Sequence, residues 1–337
     1  MLAPILAAGL AITAAPGLQD CPTNSSLGPS ACPVNATCCV AQYFGAYGCQ
    51  YPDTDFCCSP GPPLEPSTTL PNCLIIGDSV SVQYTPSVTE LLKDVCQVQH
   101  APWVGGGSAN DAATGLFHLQ NCHWLRTATR PDVTVDWDIV QFNFGLHDLM
   151  KTTPELLDFY EAEIENITEI LLSSGVKHVQ YALTTPFQAD ALEACGPYCS
   201  PGPVNLTISD YPQPVNGGNG RCGPPMCEAG SLGCGVPNET AKALSPDPSA
   251  PGCGPATFAV TKLNDRASQV MQRHPEVSTL DLNTIVHSHC GANYSNCSLC
   301  DDETKYMGIR CGYHYSPEGV GYLAQAVADS FKTLLQD

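Results

Sequence analysis

A serine follows a short apolar run in Ile75-Ile76-Gly77-Asp78-Ser79-Val80-Ser81, and 235 residues later a histidine precedes a helix signal in Gly312-Tyr313-His314-Tyr315-Ser316-Pro317-Glu318. A serine hydroxyl is a weak nucleophile until a neighbouring base takes its proton. An imidazole, with a pKa near about 6.5, can accept that proton and return it to a leaving group. Open α/β sheets place their sites at the carboxyl ends of strands, which is where Ser79 stands. Gly77 permits the tight turn, and the Ser79 N–H is free to face an oxyanion. Gly-Asp-Ser alone is a weak signal; the late histidine is what strengthens it. A second cluster, His287-x-His289-Cys290 with Cys297-x-x-Cys300, has ligand types that could complete a zinc tetrahedron. With Cys311 its cysteines form an even set of four, so two disulfides are expected there instead of a metal, with Cys311 joined to Cys290, Cys297 or Cys300. Such bridges would staple the loop that carries His314.

The elements that must position these residues alternate between strand and helix from Cys73 onward, as a parallel sheet covered on both faces requires. Strands are predicted at Leu74–Ile76, Val95–Val98, Ile139–Phe142, Val176–Leu183 and Val277–Leu280. The clearest helix is Pro154–Leu172, with Leu157, Tyr160, Ile164, Ile167 and Leu171 on one face and a stop at Gly175. A last helix follows Ser316-Pro317-Glu318, with Leu323, Val327, Phe331 and Leu334 inward. The expected fold class is a three-layer α/β/α unit with a parallel sheet, preceded by a small disulfide-rich module.

The 337 residues are 43% hydrophobic and 14% charged, sufficient for one sizeable core plus a smaller unit. Thirteen Lys and Arg against 33 Asp and Glu give a net charge of −20, so nucleic-acid backbones and anionic lipid surfaces would repel the chain. Twenty cysteines, with Asn-x-Ser/Thr sequons at Asn24, Asn35, Asn166, Asn205, Asn238, Asn293 and Asn296, argue for an oxidising, glycosylating compartment. An apolar start ending in Thr13-Ala14-Ala15 reads as a secretory signal over residues 1–17, and no apolar run has the length of about 20 residues that a membrane span needs. Residues 18–60 form the Cys-rich module, with seven cysteines and almost no periodic pattern; 61–72 read as a stiff Pro-rich linker; 73–337 form the main domain. Within it, 195–255 is a Gly-, Pro- and Cys-rich insertion with no predicted helix or strand, either a wall for a site or a glycosylated decoration.

Two resemblances add to this reading. The spacing Cys21-Pro, Cys32-Pro-x4-Cys38-Cys39, Tyr47-Gly48-Cys49 and Cys57-Cys58 resembles the first half of a granulin repeat, with Gln50 where a second cysteine is expected. That resemblance implies stacked hairpins joined as Cys21–Cys38, Cys32–Cys49 and Cys39–Cys57, leaving Cys58 to a partner outside, with Cys73 the nearest. Cys96 and Cys122 offer a further bridge, from the second strand to the helix after the glycine block. The order strand-Gly77-Asp78-Ser79, glycine block Gly105-Gly106-Gly107-Ser108, third block Phe142-Asn143-Phe144-Gly145-Leu146-His147-Asp148 and late His314 resembles the SGNH (GDSL-like) hydrolases over residues 73–336. In that family the serine attacks an ester carbonyl while the serine N–H, a glycine N–H and an asparagine side chain hold the oxyanion. The resemblance implies Ser79 as nucleophile, His314 as base, and Ser79, Gly106 or Gly107, and His147 as oxyanion donors, with a neutral imidazole replacing the family's carboxamide. Asp148 would brace the turn. The family's carboxylate, three residues before the histidine, is Cys311 here, so either a dyad operates or Asp301 or Asp302 reaches in as the orienting acid.

The function this implies is that of a secreted, extracellular serine esterase that needs no cofactor and no metal, acting on an ester of small-molecule, glycan or lipid type, with acetylated polysaccharide preferred because many extracellular relatives are carbohydrate esterases. The alternative is a catalytically weak or inactive SGNH-fold glycan-binding or matrix protein, whose N-terminal module contacts protein or glycan.

Overall fold

The computed structural model describes residues 18–20, 31–33, 37–40, 47–50, 58, 61–62, 64–103, 108–127, 135–149, 151, 154–186, 256–291, 297–300 and 314–336. Two antiparallel pairs come first: β1 (Leu18–Asp20) with β2 (Ala31–Pro33), and β3 (Thr37–Val40) with β4 (Tyr47–Gln50), the latter setting Cys38 opposite Cys49. Cys21 and Cys57 lie outside the described residues, as do residues 1–17 and the insertion 195–255, and only the backbone is described for Cys32, Cys38, Cys39 and Cys49, so the pairings of these six cysteines stay expectations.

The main domain is a five-stranded parallel sheet in the order β6-β5-β7-β8-β9, formed by β5 (Asn72–Ile76), β6 (Gln97–Ala101), β7 (Ile139–Phe142), β8 (His178–Ala182) and β9 (Ser278–Leu280). β5 sends Leu74 and Ile76 to one face and Cys73 and Ile75 to the other, so a single apolar strand supplies both cores. On the first face lie α2 (Ala112–Asn121), α3 (Pro154–Ser173) and α4 (Ala256–Arg273), with Tyr160, Ile164, Ile167, Leu263 and Val270 buried beneath them. On the second lie α1 (Ser79–Leu91), α5 (Leu282–Cys290) and α6 (Pro317–Leu334), with Val80, Tyr84, Val286, Leu323, Val327 and Phe331. The fold is therefore the expected α/β/α sandwich. α3 buries the predicted stripe of Leu157, Tyr160, Ile164, Ile167 and Leu171, and α6 begins at the predicted Ser316 cap.

Two expected disulfides are corrected. Cys58 is joined to Cys122, not to Cys73, and Cys96 is joined to Cys73, not to Cys122. The reason is topological: β5 and β6 are parallel neighbours, and Cys73 in β5 faces the entry to β6 with a Cα–Cα distance of 6.2 Å. Cys122 caps α2 at its end, where Cys58 arrives at 5.4 Å and is itself fully buried. Between Cys58 and β5, Leu64 and Glu65 lie against the edge strand β6. Gln99 of β6 accepts the Leu64 N–H and donates to the Leu64 carbonyl, and Gln97 donates to the Glu65 carbonyl. Two side-chain amides of the edge strand β6 thus tie the segment before β5 to the sheet.

Candidate active site

The turn after β5 sets the first catalytic candidate. Asp78 is the N-cap of α1, in extended conformation, and its Oδ1 accepts the Val80 N–H at 2.9 Å. Ser79 is therefore the first helical residue, at the sheet's carboxyl edge, where a backbone N–H has no intrahelical partner. Asp78 is 1% exposed, and burial raises its pKa, opposed by its interaction with His147, by the backbone N–H groups of Val80 and Ser81, and by His314.

His314 arrives from the far end of the chain. Its Nε2 lies 2.9 Å from Ser79 Oγ. Local ties hold it there: Tyr315 forms an isolated bridge with Cys300, the Ser316 N–H donates to the Leu299 carbonyl at 2.9 Å, and Tyr315 N–H reaches Gln83 Oε1 of α1 at 3.4 Å. Ser316 then caps α6 by accepting the Gly319 N–H at 3.1 Å and donates its own hydroxyl to the Ser298 carbonyl at 2.8 Å. Gly319 is needed for this docking, since a Cβ there would stand 2.1 Å from the Leu299 carbonyl oxygen. The neighbouring loop is closed by the Cys290–Cys297 disulfide, and Cys300 is also disulfide-bonded, so these cysteines are bridged as expected and are not held as thiolate ligands.

The third block leaves β7 as Asn143-Phe144-Gly145-Leu146-His147-Asp148. Asn143 donates to the Ala182 carbonyl at 2.6 Å, which fixes the start of the turn to β8. The Asp148 N–H closes the turn onto the Gly145 carbonyl at 2.8 Å, while Asp148 Oδ2 accepts the Ala112 N–H of α2 and Oδ1 meets Lys151 Nζ at 2.7 Å. Asp148 thus braces the turn, as expected. His147 sits on that turn, partly buried; burial pulls its pKa down, opposed by Asp78 and then by Asp111. Its imidazole is held in the neutral form, with one N–H to give. The structure brings Ser79 and His314 into contact and sets His147 within the electrostatic reach of Asp78, the residue that precedes Ser79 in the chain. Gly106, Gly107, Asp301, Asp302 and Cys311 lie outside the described residues.

Sequence reasoning missed two groups. Lys151 is buried between Asp148 and Glu163, at 2.7 and 2.5 Å, behind the third block, and no local signal distinguishes it from a surface lysine. Ser81 lies one step inside the quoted motif, but its partner, His100 in β6, stands at 2.7 Å and is visible only in three dimensions.

Chemically, a hydroxyl 2.9 Å from an imidazole nitrogen at a helix N-terminus can give its proton to that imidazole as it adds to a carbonyl. Among the described residues no helix is long and apolar enough to cross a membrane. No protein-family model matches the chain, and no curated protein matches it. Among solved structures it is similar to a GDSL-like lipase from Bacteroides thetaiotaomicron, at 10% identity over 80% of this chain and 92% of that chain, TM-score 0.44. It is also similar to a lipase/acylhydrolase from Enterococcus faecalis, at 13% identity over 78% and 96%, TM-score 0.40. A third is a catalytic mutant of an acetylxylan esterase from Geobacillus stearothermophilus, at 12% identity over 80% and 95%, TM-score 0.42.

Proposed function

We propose that the protein is a secreted serine esterase that works through an acyl-enzyme on Ser79. His314 Nε2 takes the proton as Ser79 Oγ adds to the ester carbonyl. The tetrahedral oxyanion is held by the Ser79 N–H, the N–H of Gly106 or Gly107, and the neutral imidazole of His147. Collapse expels the alcohol, which receives the proton from His314; water then repeats the sequence with the same base and releases the acid. For Nε2 to accept, His314 carries its ring proton on Nδ1, and Asp301 or Asp302 is the candidate to hold it in place of the acid that Cys311 replaces. Acetyl esters on glycans are the first substrates to test, by analogy with the hydrolases that the sequence motifs resemble. The observation that carries this reading is the 2.9 Å contact between His314 Nε2 and Ser79 Oγ.

The experiment is fluorophosphonate labelling of the secreted protein with a parallel panel of p-nitrophenyl esters and acetylated glycans. Labelling of the wild type is expected to map to Ser79 and to vanish in Ser79→Ala with the thermal midpoint nearly unchanged. Labelling at another serine overturns the site. A folded wild type that neither labels nor hydrolyses any ester supports the second reading, a binding protein on a hydrolase scaffold, which the cysteine at position 311 favours.

A further inference from the structure

Ser81 and His100 form a second hydroxyl–imidazole pair, and it is sealed: each is 2% exposed. The Ser81 hydroxyl lies 2.7 Å from His100 Nε2 and 2.6 Å from the Asp78 carbonyl oxygen, and His100 Nδ1 lies 2.6 Å from the Pro102 carbonyl oxygen. A carbonyl can only accept, so Nδ1 carries the ring proton and donates it to Pro102. Burial lowers the His100 pKa to about 4, against the pull of the Pro102 carbonyl, so at neutral pH Nε2 is unprotonated and accepts from Ser81. One hydroxyl hydrogen then serves both Nε2 and the Asp78 carbonyl. The pair therefore ties the first turn of α1 to β6, whose His100 lies in register with Ile75 of β5. Gly77 makes room for it, since a Cβ there would stand 2.7 Å from Ser81 Oγ, and the Ala109 N–H pins the same turn from the other side through the Gly77 carbonyl at 2.8 Å. Ser79 stands between the two residues this bridge joins, Asp78 and Ser81.

We propose that Ser81 and His100 are positioning residues for Ser79: their bridge to the Asp78 carbonyl holds the turn so that Ser79 Oγ meets His314 Nε2. The role rests on the esterase reading above. Neither side chain meets the substrate; they act through the backbone on either side of the nucleophile. Misplacement of a reacting group by about 1 Å can cost two orders of magnitude in rate, so the bridge is worth testing by rate as well as by stability.

The test compares wild type with Ser81→Ala, His100→Gln and His100→Asn, reading the rate of fluorophosphonate labelling, kcat, KM and the thermal midpoint. A glutamine amide reaches the Nε2 position and can still meet Ser81, whereas an asparagine amide reaches only the Nδ1 position and keeps Pro102 alone. Ser81→Ala and His100→Asn are expected to slow labelling and kcat by about tenfold or more, with KM within about twofold, and His100→Gln is expected to recover most of the rate. A bridge that only supports the fold would lower the thermal midpoint and leave the labelling rate of the folded molecules unchanged, and that result overturns the proposal. Where Ser81→Ala does not fold, the two histidine variants decide, and equal rates for both overturn it. Failure of the esterase reading shows separately, as a wild type that does not label at Ser79, and it removes the positioning role as well.

Discussion

Asp148 yields a prediction that couples the brace of the third block to pH. Its carboxyl is 1% exposed, and it shares Lys151 with Glu163, so two buried carboxylates face one ammonium. Burial raises the Asp148 pKa from 3.8 to about 7; Lys151 opposes this, and Asp111 and Glu163 reinforce it. The folded chain thus holds this proton more tightly than the unfolded chain does. The stabilisation is complete below the unfolded value of 3.8 and is lost as pH rises through the folded value of about 7. A shift of about 3 units at 1.36 kcal/mol each amounts to about 4 kcal/mol across that window. The perturbation is Asp148→Asn, which keeps an acceptor for the Ala112 N–H but cannot ionise. The assay is urea unfolding from pH 4 to pH 8 with disulfides intact, followed by the fluorescence of the buried Trp124 and Trp137. The wild type is expected to lose about 4 kcal/mol more than the variant between the two ends, most of it between pH 5 and pH 7. Parallel pH profiles for the two proteins would refute the reasoning, because they would mean that Asp148 ionises normally in the folded state.

Other outcomes follow from the same site. His147→Ala is expected to lower kcat by about 10²–10³, the cost of one oxyanion donor, and His147→Asn to recover much of it by restoring a carboxamide; equal rates for wild type and alanine would leave the imidazole without that role. Because burial lowers the His147 pKa, its neutral donor form persists below the ordinary imidazole range, so His147→Asn should leave the acid limb of the kcat/KM profile where it was. With Cys290 and Cys297 joined to each other, Cys300 is the partner left for Cys311; mass mapping of unreduced peptides should find that pair, and a free thiol at Cys311 would break the account. Phe331→Ala should cost about 3–5 kcal/mol by emptying a fully buried site under α6, measured as a fall in the urea midpoint.

The sequence by itself determined what depends on neighbours along the chain. The stripe of Leu157, Tyr160, Ile164, Ile167 and Leu171 defines a helix face because residues three and four apart share a side, and the structure buries all five. Ser316-Pro317 announces the start of α6 because a cap needs only its own next turn. The short apolar runs marked all five strands of the sheet, with boundaries shifted by a residue or more at several ends, since those ends are set by pairing with neighbours. Ser79 and His314 were legible as a pair only by their residue types and by their places beside a strand and a cap.

Tertiary structure decided every partnership between distant segments. Cys58 meets Cys122 and Cys73 meets Cys96, because strand order and the placing of Leu64 and Glu65 against β6 choose the neighbours, and cysteine spacing holds no record of either. The 2.9 Å contact across 235 residues, the sharing of Lys151 by Asp148 and Glu163, and the sealed Ser81–His100 bridge belong to the same class. Each joins side chains on different elements, and their meeting is a property of how the sheet stacks its helices: local propensity sets the elements, and burial of the two apolar faces of β5 sets which of their ends come together.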